Sequence, residues 1–365
     1  MWHGMGLSSM NKRISIQNVL PGMTVAEDVY TRNNQLVIPR GTVISDRILT
    51  RLKDYSIYNI TVLIPEKPEP IKTVMIHSEK IKSSPEFKQF NKEFLSSVDD
   101  FKNQLSHVTD KDNPIDQASL LADVSKTISE TRNGIHLFDM LHCMRGSDDI
   151  TYVHSINVAL ICNVFGHWLK LSEEDIEVLT LCGLLHDIGK LKLSHEILYK
   201  EEPLTDAEYE ILKTHPSLGY EILKYKDLDQ RITNAALMHQ ERCDGSGYPR
   251  KLRGEQIDSF AKIVAIADVY DAMTSARVYR PALSPFDAIR NFESVGLQKF
   301  DPHYIMTFLE GIVNSYVGNH VRLNNNAEGE IILINKQALS KPVIKSGDTF
   351  IDLSKEHHLH IVAVL

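Results

Sequence analysis

The sequence predicts a mainly α fold: an all-helical domain in the middle of the chain, a small α/β domain before it and a small β segment after it. Three observations carry this. From about 134 to 317 the text is almost wholly helical, with well-marked helix starts. From 12 to 65, and again from about 320, short β-branched runs are broken by turn residues. At 365 residues the chain also exceeds what one compact core usually absorbs, so two or three domains are expected. The expected division is a small α/β domain at 10–66, a linker and helical connector at 67–130, the main helical domain at 131–319 and a β appendage at 320–365.

In the first unit, ISIQNVLPGMTVAEDVY carries β-branched runs broken by Pro21-Gly22. NNQLVIPRGTVIS reads as a hairpin-like stretch, with Asn33-Asn34 and Arg40-Gly41 as turn signals. SDRILTRLKDYS reads as an amphipathic helix capped by Ser45, and IYNITVLI as a strand. EKPEP at 66–70 is a linker by composition. The polar helical text from about 84 to 131 places Phe87, Phe90, Phe94 and Phe101 at helix-like spacing, as in a helical connector or a stalk for homodimerisation. In the main domain, Ser172 precedes EEDIEVLTLCGLLHDIG, and Thr205 with Glu208 forms a capping-box pattern. Ser284-Pro285 and Asp301-Pro302 mark later helix starts, since proline is tolerated in the first turn. VRLNNNAEGEIILIN, PVIKSGDTFIDL and HLHIVAVL then read as strands with turns at Asn324–Asn326 and Gly347-Asp348.

Composition narrows the function classes. Hydrophobic content of 42% with 24% charged residues is that of a soluble globular protein. A net charge of −8 argues against a nucleic-acid polymer or an anionic membrane surface as partner, but allows a small anionic ligand at a local cationic cluster. No run reaches the length of a membrane span, so no membrane insertion is expected, and no signal-peptide pattern opens the chain. Cys143, Cys162, Cys182 and Cys243 show no CxxC spacing and read as reduced thiols, which points to the cytoplasm. His357, His358 and His360 read as an exposed tail or strand.

The chemistry concentrates in the helical part. LLHDIGK places His186 and Asp187 side by side in an apolar helical run, with Lys190 one turn on. His154, His215, His239 and Asp268 also sit in apolar helical text. A buried imidazole or carboxylate without a partner is costly, and a shared metal centre would satisfy them all at once. Imidazole with carboxylate and no thiolate favours Fe, Mn, Co or Zn. HQERCDGSGYP adds a shaped loop: Gly245 and Gly247 give backbone freedom, Pro249 stiffens the exit, and Tyr248 can stack on a base or hydrogen-bond a phosphate. In ADVYDAMTSARVYRP, Asp268 and Asp271 share a helix face, and Arg277 and Arg280 suit bidentate phosphate contacts.

HSINVA, LLHDIGK, HPSLGYEIL, HQERCDGSGYP and IADVYDAMTSARVYRP occur in that order over about residues 131–317. This ordered set resembles the HD-GYP family, a branch of the HD superfamily of metal-dependent phosphohydrolases. The N-terminal LPGMTVAEDVY is similar to a small domain often placed ahead of HD-GYP modules, and would serve a signalling partner or dimerisation. The resemblance implies an all-helical HD-type domain that hydrolyses cyclic di-GMP to linear pGpG, GMP or both, with a water activated between two divalent metals. Fe or Mn is the first expectation, with Zn, Co, Mg or Ni as alternatives. It implies His154, His186, Asp187, His215, His239 and Asp268 as metal ligands, with Asp187 bridging and catalytic. Lys190 would act at the scissile phosphate, and Gly247, Tyr248, Pro249, Arg277 and Arg280 would contact the dinucleotide.

Two positions depart from the family pattern. Gln240 stands where most members have a second histidine; its carbonyl would be a weaker metal ligand than imidazole. Ile150 stands where some members carry a glutamate for a third metal, so two metals are expected. Gln240 keeps open an alternative in which the module binds cyclic di-GMP as a sensor or scaffold with little turnover. A third reading is a phosphohydrolase of another nucleotide.

Overall fold

The computed structural model describes residues 9–16, 19, 23–31, 36–45, 48–49, 52, 57, 59–65, 81–106, 108–110, 113–131, 134–144, 150–200, 202–275, 283–356 and 358–365. Pro21-Gly22, Asn33-Asn34, EKPEP, most of the expected 45–56 helix, Arg277, Arg280 and His357 lie outside them. The chain divides into two compact units, Met1–Lys72 with Lys200–Thr205, and Thr73–Tyr199 with Asp206–Leu365.

In the first unit, β1 (Ser9–Ser15), β2 (Thr24–Val25), β3 (Val29–Tyr30), β4 (Leu36–Ile38) and β5 (Asn59–Pro65) form two small antiparallel sheets, ordered β1-β5-β2 and β3-β4. Val25, Ile38, Ile44, Leu52, Ile60 and Val62 build their core. Gly41, at φ +83°, makes the turn signalled by Arg40-Gly41, a conformation that favours glycine.

The second unit begins with α1 (Pro85–Leu105), α2 (Gln117–Ser129) and α3 (Gly134–Cys143). Ser84 Oγ caps α1 by accepting from Phe87 N at 3.0 Å. Phe87, Phe90, Phe94 and Phe101 recur along one face of α1, and all four are buried in the core shared with the helices that follow. The long α4 (Ile150–Trp168) and α5 (Glu173–Leu185) form the centre. Ser172 caps α5 through Asp175 N at 3.2 Å. The two helices approach closely because position 183 is glycine: a Cβ there would lie 2.9 Å from Ala159 Cα.

A 3-10 turn (Ile188–Lys192) follows, then α6 (His195–Leu198), α7 (Asp206–Leu212), α8 (His215–Leu223), α9 (Gln230–Met238), α10 (Ser259–Thr274), α11 (Pro285–Asn291), α12 (Leu297–Lys299) and α13 (Pro302–Ser315). Ser284 and Asp301 cap α11 and α13 as their Ser-Pro and Asp-Pro signals indicate. α5 packs against α4, α9 and α10, while α8 packs on the 3-10 turn and on α9.

The chain ends in an antiparallel sheet of β6 (His320–Leu323), β7 (Glu328–Leu333), β8 (Val343–Ser346), β9 (Thr349–Asp352) and β10 (Ile361–Val364), ordered β10-β6-β7-β8-β9. Its turns at Asn324–Asn326 and Gly347-Asp348 put Asn326 and Gly347 at positive φ. Val321, Leu323, Ile331, Ile344 and Ile361 join the helical core, so the sheet has no separate interior among the described residues.

The expected helix through HDIGK stops earlier than the apolar run suggests. α5 ends at Leu185, His186 is its C-cap, and the backbone tightens to 3-10 geometry after Asp187. The His186 ring explains the stop, because its Nδ1 donates to Gly183 O at 2.7 Å and so takes up a carbonyl at the helix end. In a 3-10 turn residues i and i+3 eclipse, which sets Lys190 directly over Asp187.

Candidate metal centre

The packing of α4, α5, α8, α9 and α10 brings six sequence-predicted residues to one buried point. His186 and His239 are 0% exposed, Asp187 and His215 2%, Asp268 7% and His154 8%. Burial this deep matters because each group needs a partner.

Three of the four histidines are held in the same way. His186 Nδ1 faces Gly183 O at 2.7 Å, His215 Nδ1 faces Leu212 O at 2.7 Å, and His239 Nδ1 faces the Ala235 and Ala236 carbonyls at 3.1 Å each. A carbonyl only accepts, so each Nδ1 carries the proton and each Nε2 presents a lone pair to the centre. His215 Nε2 and His239 Nε2 then face each other at 3.1 Å with no proton between them, and His186 Nε2 is buried without a hydrogen bond. Burial also holds His215 neutral, down to about 3, and lowers His239. Facing lone pairs in a buried pocket call for a cation.

Asp187 stands between two pairs of histidines. Its Oδ2 lies 3.4 Å from His186 Nε2 and 3.7 Å from His154 Nε2, while its Oδ1 lies 3.3 Å from His215 Nε2 and 3.5 Å from His239 Nε2. Oδ1 is buried and makes no hydrogen bond. Burial alone would raise its carboxyl, but Lys190 and His186 outweigh burial and hold it well below the carboxylate range. Lys190 Nζ donates to Oδ2. His154 Nε2 meets Asp268 Oδ1 at 3.1 Å. Burial disfavours a charged His154, yet the carboxylates of Asp268 and Asp271 prevail and hold it up at about 9. Among the described residues, His154, His186 and Asp268 form one group able to hold a metal ion, and His186, Asp187 and His239 another.

Gln240 joins the site as a donor: its Nε2 reaches Asp268 Oδ2 at 3.0 Å. The GYP loop lies alongside. Tyr248 is half-buried with its ring 6.2 Å from that of His215, its N donates to Gln240 O at 3.2 Å, and the Tyr248–Pro249 bond is cis. The two loop glycines have different uses. Gly245 has φ +81°, whereas Gly247 is required by contact: a Cβ would collide with Arg242 N and Glu241 Cα and lie 2.6 Å from Gln240 O. Arg277 and Arg280 are outside the described residues.

Sequence reasoning missed the residues that hold these groups in place. Buried Glu241 accepts from Arg250 N at 2.7 Å and Leu252 N at 2.9 Å, closing the loop. Asp271, noted only as sharing a face with Asp268, bonds His154, Asn157 and Ser275. Gly189 lets the 3-10 turn meet α8, since a Cβ would collide with His215 O. The place of Asp271 on the same helix face as Asp268 was the one signal available.

The fold and site define a helical protein with a buried His/Asp centre able to bind metal. The family model described as "HD domain" matches residues 117–304, half of the chain. The chain belongs to the HD domain family, as an HD-GYP member. It is 34% identical over 203 residues to a cyclic di-GMP phosphodiesterase of Pseudomonas aeruginosa, covering 55% of this chain and 49% of that one. It is 38% identical over 153 residues to the cyclic di-GMP phosphodiesterase response regulator RpfG of Xanthomonas campestris, covering 41% and 40%. The chain thus spans half or less of the length of these two relatives. An HDG"Y"P protein of Bdellovibrio bacteriovorus shares the fold, with a TM-score of 0.51 at 17% identity over 82% of this chain and 98% of that one.

Proposed function

We propose that the chain is a phosphodiesterase that hydrolyses cyclic di-GMP to linear pGpG, GMP or both. The observation that carries this is the division of Asp187, one oxygen toward His154 and His186 and the other toward His215 and His239. That arrangement fits two divalent metals with Asp187 between them. The first would be held by His154, His186 and Asp268, the second by His215 and His239, with Gln240 at its edge. The nitrogen-and-carboxylate donor set, free of thiolate, suits Fe or Mn first, then Zn, Co, Mg or Ni. The names of the relatives support the substrate.

Such metals, when bound, would polarise the phosphodiester and acidify an attacking water. The chain's own residues do the rest. Lys190, its side chain 23% exposed beside Asp187, offers an ammonium to a phosphoryl oxygen as charge grows there. Tyr248 and Pro249, on a loop held by Gly247, form a wall next to His215 for the dinucleotide. Arg277 and Arg280 would contact its phosphates. The net charge of −8 is no obstacle, since the ligand meets this local cluster. No helix among the described residues is long and apolar enough to cross a membrane, and the four cysteines are free, which supports the cytoplasmic reading. A signalling partner or a second copy would act through the N-terminal unit.

The test loads the purified chain with each metal in turn, adds cyclic di-GMP or the hybrid cyclic GMP-AMP, and separates the products. pGpG or GMP from cyclic di-GMP is expected, and Asp187→Ala is expected to abolish it. Binding without either product under every metal would leave the sensor alternative in its place. Preferential cleavage of the hybrid would reassign the substrate.

A further inference from the structure

Four histidines turn Nε2 toward the centre, and one is held differently. His186, His215 and His239 are fixed by backbone carbonyls, which accept only. His154 Nδ1 instead meets a side chain, Asp271 Oδ2, at 2.6 Å. Both residues are buried, at 8% and 3% exposed. Asp271 is oriented in turn: Oδ1 accepts from Asn157 Nδ2 at 2.9 Å and from Ser275 Oγ at 2.8 Å. Two donors on Oδ1 leave Oδ2 for the imidazole. We propose that Asp271 is a positioning residue for the metal centre: clamped by Asn157 and Ser275, it sets the His154 tautomer and ring plane so that Nε2 faces the metal as an acceptor. The proposal rests on the metal-centre reading above, and adds that one of the four histidines depends on a clamp of three side chains, Asp271, Asn157 and Ser275.

The clamp makes an unusual prediction for the isosteric variant. In Asp271→Asn, the carbonyl must take the Oδ1 place, because Asn157 and Ser275 donate there. The amide NH2 then falls opposite His154 Nδ1 and forces it to accept. The ring proton moves to Nε2, where it blocks the lone pair that a metal needs. In Asp271→Ala the Asp268 carboxylate, 3.1 Å from Nε2, still draws the proton there while no metal is bound, but Nδ1 meets no fixed donor and can take that proton back when a metal arrives. Asn is therefore expected to be worse than Ala. A carboxylate that mattered only for packing or shape gives the opposite order. Moving the carboxylate across the clamp, as Asn157→Asp with Asp271→Asn, restores the polarity. The carboxylate placed at position 157 accepts from the amide placed at position 271, and the carbonyl of that amide then faces His154 Nδ1.

The experiment measures metal content and affinity of the full chain by chelator competition and emission spectrometry, with circular dichroism of each metal-free variant as a folding control. Expected is a loss of metal affinity of about 10- to 100-fold in Asp271→Asn, a smaller loss in Asp271→Ala, and recovery in the double variant. If Asp271→Asn binds within about two-fold of the unaltered chain, or Ala is the worse of the two, the positioning role is wrong. If the unaltered chain itself binds no metal, the metal-centre reading fails first and this role falls with it.

Discussion

Gly247→Ala is the sharpest test of how the GYP loop is built, because a single methyl group is added at a place with no room for it. The new Cβ would collide with Arg242 N and Glu241 Cα and sit 2.6 Å from Gln240 O. All three are backbone atoms, so no side chain can swing aside. Ordinary contact begins near 3.5 Å, so the two strands of the loop must part by about 1 Å. Overpacking of this kind typically costs about 1–3 kcal/mol. The displaced segment carries Gln240, whose amide reaches Asp268 and whose carbonyl accepts from Tyr248 N. A misplacement of about 1 Å near a reacting centre can cost about 100-fold in rate. Gly254→Ala is the matched control, since its Cβ would meet nothing closer than Cys243 Cβ at 3.7 Å. Urea unfolding and hydrolysis of cyclic di-GMP are the assays. Gly247→Ala is expected to lose stability and most activity, while Gly254→Ala stays near the unaltered chain. If the two alanine variants unfold within about 0.5 kcal/mol of each other, within ordinary surface-mutation scatter, the loop is not built by this contact.

Two further outcomes follow from other residues. Gln240 donates to Asp268 in place of a second imidazole, so the His215 and His239 side is expected to hold metal more weakly than the His154 and His186 side. Gln240→His should raise metal stoichiometry and turnover together, and unchanged stoichiometry by emission spectrometry would clear Gln240 of limiting the site. His142 gives a pH dependence: burial lowers it to about 4 from an ordinary 6.5, with only partial relief from the Phe138 carbonyl and Asp271. The folded state therefore resists a proton that the unfolded state accepts. No stability is lost to this above pH 6.5, the loss grows as pH falls toward 4, and it reaches about 2 kcal/mol at pH 5. Urea unfolding at pH 7.5 and pH 5 should show His142→Phe losing less stability than the unaltered chain over that interval, and equal losses would mean His142 titrates normally in the folded protein.

The buried histidines and aspartates of the candidate site stood out in the sequence because burying imidazole and carboxylate in apolar helices is expensive, and five such segments in one chain need a common cause. Helix starts were legible for the same local reason: Ser172, Ser284 and Asp301 act on amides within two or three positions of themselves. Asp271, Asn157 and Glu241 were not legible. Asp271 and Asn157 meet across 114 positions, and nothing at either position marks the other. Gly189 and Gly247 are similar, since their need arises from backbone that approaches from elsewhere in the fold or across a loop. The end of α5 was misjudged because the apolar run continues through Ile188, while the helix is stopped by a hydrogen bond from the His186 ring to its own preceding turn.

The early end of α5 bears on the chemistry. Had the helix run on, His186 and Asp187 would diverge by about 100° around its axis, with Lys190 set off from Asp187 by the helical twist. The 3-10 turn removes the twist between Asp187 and Lys190 and stacks them. The ring that stops the helix is a metal-ligand candidate whose tautomer is set by the same bond, Nδ1 to Gly183 O. Gly183 is also the residue that lets α5 approach Ala159 on α4, the helix that carries His154. One glycine thus sets the spacing of α4 and α5 through its missing side chain and the orientation of His186 through its carbonyl. A larger residue at 183 should therefore disturb both halves of the His154 and His186 pair, even though position 183 offers no ligand of its own.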